Sequence, residues 1–330
     1  MRVAGAGLAI AALLVLTAPL YGEAQLAKKI ARVGVLSDES PSLSSELLSD
    51  PTISKALRDL GWVEGENVTF QRRYSAGKNE TLPGLAAELV RLQVDVIVAI
   101  GTPAALAAKN ATSTIPIVFT RAGDPVGFGL AQSLARPGGN VTGVTILTVA
   151  LGAKRLDLLR EAVPGVARVG VLWDPSFPPA APELKDMQDA ARSLRLEIRP
   201  VGVQRPEDFE GAVMALTRQR VGALIVVGGR IFSLHRHRLA EIATKARLPM
   251  MSARSEIVDA GGLMSYGPNY SHMDGRAAIY VDKVLKGAKP AEFPIEQPTR
   301  FELAINLRTA RALGLTIPPT LLLRASHVIE

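Results

Sequence analysis

The segment Arg32-Val33-Gly34-Val35-Leu36 recurs unchanged as Arg168-Val169-Gly170-Val171-Leu172, and the residues after one copy keep step with those after the other. A chain written twice folds as two similar units, which restricts it more than any composition does. After each copy comes a helix-like stretch containing residues 56–60 or 190–194, then a helix opened by Gly84 or Gly211. A second apolar run comes next, Val96-Ile97-Val98-Ala99-Ile100-Gly101 against Ala223-Leu224-Ile225-Val226-Val227-Gly228. A third opens with Ile115-Pro116-Ile117-Val118 in one half and Leu248-Pro249-Met250-Met251 in the other, so the offset holds at roughly 130 residues over three strands.

Runs of four to six apolar, largely β-branched residues without polar alternation are strands buried on both faces. The expected fold is therefore α/β, with two doubly wound parallel-sheet lobes joined by a hinge. Lobe one is expected over 30–146 with a return at about 266–297. Lobe two is expected over 147–265, with 298–330 left open between the lobes. Gly- and Pro-punctuated crossings are expected at 144–151 and 262–268. Ligands of such sheets sit beyond the carboxyl ends of the strands, so a small molecule held between two such edges touches both lobes.

A chain of 330 residues exceeds what one core usually serves, and its 48% apolar content can fill two. The formal charge of +7 comes from scattered basic residues, and only 5% of the chain is aromatic, which speaks against nucleic acid as a partner. Residues 1–24 read as a cleavable secretory signal: Arg2, an apolar stretch from Leu8 to Ala18, then small residues around Gly22-Glu23-Ala24. No cysteine occurs anywhere, so there is no disulfide and no lipoprotein anchor. A soluble periplasmic monomer is expected.

The candidate site residues gather where strands run into helices. Gly101-Thr102-Pro103 closes the second strand and opens a helix, leaving backbone donors suited to an anion, although Thr102 reads equally well as a plain N-cap. Ser37, Asp38 and Ser40 come after the first strand; Asp174-Pro175-Ser176 holds the matching place in lobe two. Asp124, ahead of Pro125, reads either as a carboxylate aimed at a ligand amine or as an Asx turn. Arg121 and Arg254 align across the repeat, and Arg230 comes directly after Gly228-Gly229; each is able to grip a carboxylate in bidentate fashion. Tyr266 stands in the second crossing and joins the candidate ligand contacts. Catalytic patterns are thin. His235 and His237 point to different faces of a helix, and the Gly127-Phe128-Gly129 fragment lacks the third glycine of a dinucleotide site, so no enzyme activity, cofactor or metal is expected.

The chain resembles the ABC-transporter substrate-binding proteins of the group whose members bind tryptophan and related aromatic amino acids. The resemblance rests on Leu60-Gly61-Trp62-Val63-Glu64-Gly65-Glu66-Asn67, Thr102-Pro103-Ala104-Ala105, Asp124-Pro125-Val126, Pro137-Gly138-Gly139-Asn140-Val141-Thr142-Gly143, and Phe301-Glu302-Leu303-Ala304-Ile305-Asn306-Leu307 with Ala312-Leu313-Gly314. It implies a periplasmic-binding-protein fold of the first type and ligand contacts at Ser37, Thr102 and Asp124. The implied role is capture of a small anionic or zwitterionic solute, an amino acid or carboxylate, for an ABC permease in the inner membrane. Lobe two departs from the pattern: Gly228-Gly229-Arg230 replaces a Pro-x-Asp-Asn type turn, exchanging polar acceptors for a cation and bare backbone. Two rivals share the architecture. A sensing subunit for a membrane receptor has the same fold, and a two-lobed nucleotide-sugar enzyme conflicts with export.

Overall fold

The computed structural model describes residues 30–39, 49–146 and 151–330. The leader at 1–24, Ser40 and the middle of the first crossing lie outside them. Lobe one holds a five-stranded parallel sheet in the order β2-β1-β3-β4-β5, from β1 (Ala31–Ser37), β2 (Val68–Tyr74), β3 (Val96–Ile100), β4 (Ile117–Ala122) and β5 (Val141–Thr145). In lobe two β6 (Arg168–Trp173), β7 (Glu197–Gly202), β8 (Ala223–Val227), β9 (Met250–Ser252) and β10 (Met264–Pro268) take the same order, β7-β6-β8-β9-β10. Its sheet then continues through β11 (Phe301–Asn306) and β12 (His327–Ile329), and β11 runs antiparallel to β10, a departure from the all-parallel expectation.

Helices cover both faces of each sheet. In lobe one, α1 (Ser49–Asp59) and α10 (Tyr270–Leu285) pack on one face; α2 (Leu82–Arg91) and α3 (Thr102–Ala111) pack on the other. Spacing explains the choice of face: Ile53 and Leu57 on α1, and Ala277, Val281 and Val284 on α10, recur at three or four residues and are buried together. In lobe two, α4 (Leu151–Ala162) and α5 (Ala180–Leu194) cover one face; α6 (Phe209–Arg218), α8 (Arg236–Lys245) and the short α9 (Ser255–Asp259) cover the other, with α7 (Arg230–Leu234) ahead of α8.

The repeated Arg-Val-Gly-Val-Leu has a packing reason. A methyl group on Gly34 would stand 3.2 Å from Leu89 of α2, and one on Gly170 would stand 2.9 Å from Leu216 of α6. Each glycine lets the equivalent helix settle a leucine directly on the first strand of its lobe.

The chain leaves the second sheet after Pro268, and α10 packs on α1 and β4 of lobe one. Residues up to Glu296 stay there, Glu296 bridging Val144, before β11 returns to lobe two. Both strand orders reverse direction between the first strand and the third, at β1/β3 and at β6/β8, and the loops beyond such reversals are where doubly wound sheets bind ligands.

Candidate functional site

At each reversal a glycine makes room for the aspartate just past the first strand. Gly101 adopts φ 91°, and a Cβ there would lie 2.8 Å from Asp38 Oδ1. Gly229 adopts φ 75°, and a Cβ there would lie 2.5 Å from the Cβ of Asp174. A side chain at either position would be strained and would also displace the acid.

Between the two edges lies a cavity of about 80 Å³, several times what one water needs. Lobe one contributes Gly101, Thr102, Arg121 and Gly123; lobe two contributes Gly228, Gly229, Arg230 and Arg254. Phe177, Phe232, Ile257 and Val226 give it an apolar wall, and Tyr270, from the start of α10, closes one side. Asn269 caps that helix, its side-chain oxygen accepting from His272 N at 2.6 Å, and so fixes where Tyr270 begins.

The lobes are clasped across the cavity by ion pairs. Arg230 of lobe two donates from Nε to Asp38 Oδ1 at 2.9 Å, and its Nη1 lies 2.7 Å from Glu39 Oε1. The same Glu39 oxygen lies 3.2 Å from Arg121 Nη1 and 3.8 Å from Arg254 Nη2. Arg121 also grips Asp274 of α10 through Nε and Nη2, while Thr120 donates its hydroxyl to Asp274 at 3.0 Å. Arg254 pairs with Glu256. Two guanidinium groups lie over the Tyr270 ring, that of Arg121 4.8 Å and that of Arg254 5.0 Å from its centroid. Its electron-rich face eases the approach of the two cations.

Arg121 reaches this position through strain. It sits at φ 60° where the β4–β5 register slips between Thr120 and Ala122. A non-glycine residue in that conformation costs roughly 1–2 kcal/mol, and a bulge of this kind re-aims a side chain at the end of a strand.

Burial works against the Arg121 cation, but Asp274 and Glu39 more than offset it and hold its pKa above the ordinary arginine value. Burial also pushes the Asp274 carboxyl up, to about 6, against the pull of Arg121 and Thr120. Both values rise, but the rise favours the charged arginine and disfavours the charged carboxylate, because a carboxylate is hydrated more strongly than a guanidinium and loses more on leaving water. Arg254 is likewise opposed by burial, and Glu256, Tyr270 and Glu39 hold its pKa above the ordinary value.

Of the residues singled out in the sequence, Thr102, Gly229, Arg230 and Arg254 lie on the cavity wall. Thr102 Oγ1 accepts from Gly123 N at 2.8 Å, so its hydroxyl hydrogen is free to be donated. The first bond of α3 runs from Ala105 N to Gly101 O, leaving the Thr102 and Ala104 amides without an intrahelical acceptor.

The remaining candidates sit off the wall. Asp38 is buried behind Gly101 as the partner of Arg230; Ser37 is buried with its hydroxyl oxygen accepting from Glu39 N; Pro103 is buried in the first turn of α3. Asp124 is exposed, and its Oδ1 accepts from Val126 N and Gly127 N, so the Asx-turn reading replaces that of a carboxylate aimed at the cleft. Asp174 is spent in the same way on Ser176, whose N and Oγ both donate to it, and Ser176 itself is exposed. Tyr266 stacks on Phe301, 6.1 Å between ring centroids, and its carbonyl accepts from Arg155 Nε. Sequence reasoning passed over Glu39, Glu183, Tyr270 and Asp274. Glu39 alone had a signal, standing beside Asp38 in the loop after β1.

Comparison with known proteins shows the family and the fold. A family model described as ABC transporter substrate binding protein matches residues 41–329. The tyrosine-binding protein of Clostridioides difficile (strain R20291) is 27% identical over 279 residues, which cover 82% of this chain and 80% of that protein. A crystal structure of a conserved domain protein from Vibrio cholerae is 28% identical with a TM-score of 0.85, covering 91% of this chain and 100% of that one. The structure of an ABC domain in complex with L-Trp from Streptococcus pneumoniae is 27% identical with a TM-score of 0.83, covering 91% and 99%. The fold is that of type I periplasmic binding proteins, and this chain belongs to the ABC transporter substrate-binding protein family.

Proposed function

We propose that this protein captures a small zwitterion, an amino acid with an apolar or aromatic side chain, between its lobes and delivers it to an ABC permease in the inner membrane. Binding proteins of this family work outside the cytoplasm, and the leader-like residues 1–24 would direct this one to the periplasm. The observation that carries the reading is the cavity shared by both strand reversals, apolar on one side and polar on the other. The relatives support it, since one is a tyrosine-binding protein and another was solved with L-Trp.

The charges favour a zwitterion over a simple carboxylate. Arg121, Arg230 and Arg254 are already matched by Asp38, Glu39, Glu256 and Asp274, four acids to three bases. To pair with one of these arginines, a ligand carboxylate would have to displace its acid and leave that acid buried without a partner, which costs several kcal/mol. A ligand carboxylate fits instead at the Thr102 hydroxyl and the open amides of α3, where the helix dipole favours negative charge. The apolar wall of Phe177, Phe232 and Ile257 suits the side chain.

A thermal-shift panel on protein unfolded and refolded to remove cargo tests this. Amino acids, matching carboxylic acids and neutral sugars are compared side by side. A bound amino acid at a hundredfold excess over its dissociation constant stabilises the fold by about 2.7 kcal/mol. A shift with sugars alone, or with simple carboxylates alone, would overturn the reading.

A further inference from the structure

Each arginine on the cavity wall has a carboxylate of the protein as its partner, but one carboxylate on the wall is only half satisfied. Glu183 stands in the first turn of α5, its side chain 5% exposed, and lines the cavity beside Phe177 and Pro179. Its Oε1 accepts from Arg155 Nη1, and among the described residues nothing meets Oε2. Arg155 is completely buried and is itself held by the Tyr266 carbonyl, its Nε donating at 2.9 Å, so the carboxylate it grips has a fixed position.

We infer that Glu183 receives the ammonium group of the ligand through Oε2, with Arg155 as the positioning residue behind it. This rests on the amino-acid reading above and adds the group that tells an amino acid from the matching acid. Two other carboxylates fit less well. Asp38 Oδ2 also lacks a partner, but it is sealed from the cavity and Asp38 does not line it. Asp124 is exposed and turned back on its own loop. A buried carboxylate with one of its two oxygens unmet is costly, and a donor that is also a cation relieves both deficits. Burial raises the Glu183 pKa against the pull of Arg155, and an adjacent ammonium would act with Arg155 to favour the ionised form.

Calorimetric titration with L-tryptophan, L-tyrosine and their deaminated counterparts, indole-3-propionate and 3-(4-hydroxyphenyl)propionate, tests the inference. The comparison uses the native protein, Glu183→Gln, and the double variant Arg155→Gln/Glu183→Gln, which leaves no unpaired buried ion should the single variant fold poorly. Removing one partner of a buried charge pair is expected to weaken binding of the amino acid at least about thirtyfold. Affinity for the deaminated counterpart should stay within about threefold, since its carboxylate and ring contacts are untouched. If native protein binds an amino acid and both variants keep the native preference over the deaminated form, the Glu183 assignment is overturned while the amino-acid reading stands. If native protein binds neither amino acid, that reading falls for these two ligands and the assignment falls with it.

Discussion

Asp38-Glu39 and Asp174-Pro175 hold the same place in the two repeats, each just past the first strand of its lobe, yet they act in opposite directions. In lobe one the pair reaches across the cleft: Asp38 takes Arg230, and one oxygen of Glu39 meets Arg230 and Arg254 of lobe two as well as Arg121 of its own lobe. In lobe two Asp174 folds back on Ser176 and shapes its own turn, and Pro175 has no charge to offer. The repeat places two equivalent strand edges on either side of the cavity, and their side chains differ. Across the cavity lobe one offers Asp38 and Glu39, and lobe two offers Arg230 and Arg254 to meet them, so the two facing edges are unlike.

The largest effect is expected where that difference is greatest. Glu39→Ala leaves three arginines without their shared carboxylate and should cost about 3–5 kcal/mol, as breaking buried pairs does. Pro175→Ala, its counterpart in lobe two, should stay within about 0.5 kcal/mol. Urea midpoints for the two variants decide it, and equal losses would break the comparison.

A pair of double-mutant cycles sharpens it. The cycle of Asp38→Asn with Arg230→Gln should show a coupling of about 1.5 kcal/mol or more, because the pair is desolvated. The cycle of Asp174→Asn with Ser176→Ala should show about 1 kcal/mol, the worth of one local hydrogen bond.

A third prediction concerns pH. The Asp274 carboxyl is raised from 3.8 to about 6 in the folded protein, so between those values the native state holds a proton that the unfolded chain has released. Stability from this group therefore falls as pH rises through that window. Unfolding midpoints measured from pH 4 to 7 should decline more for the native protein than for Asp274→Asn; parallel profiles would show that Arg121 keeps the carboxylate ionised throughout.

The smallest effect is expected at Asp124→Ala. It removes an exposed Asx turn and should cost about 1 kcal/mol, with ligand affinity unchanged by titration. A large loss of affinity there would move the site toward the loop after β4.

The fold was legible because its signal is repetitive and apolar. The paired Arg-Val-Gly-Val-Leu strands, the glycine-terminated runs at Gly101 and Gly228, and the six-residue match of Arg121 to Arg254 all arise from rules of burial and period that act locally. The antiparallel β11 was beyond those rules, since a strand of this length reads alike in either direction. At the cavity, Thr102, Gly229 and Arg230 were legible as strand-to-helix turns. Asp124 and Asp174 misled because an aspartate before proline also satisfies its own turn, and in both loops the local bond prevailed. Glu183 and Asp274 had no signal, since an acid on a helix looks solvated until the fold brings Arg155 or Arg121 against it.

A crystal structure of the protein with the amino acid that gives the largest thermal shift is the most direct test of capture between the two strand reversals. The account predicts a ligand touching Thr102 of lobe one and the Gly229-Arg230 turn of lobe two together, with the Arg230–Asp38 pair intact. A ligand held by one lobe alone, or seated outside this cavity, would contradict it.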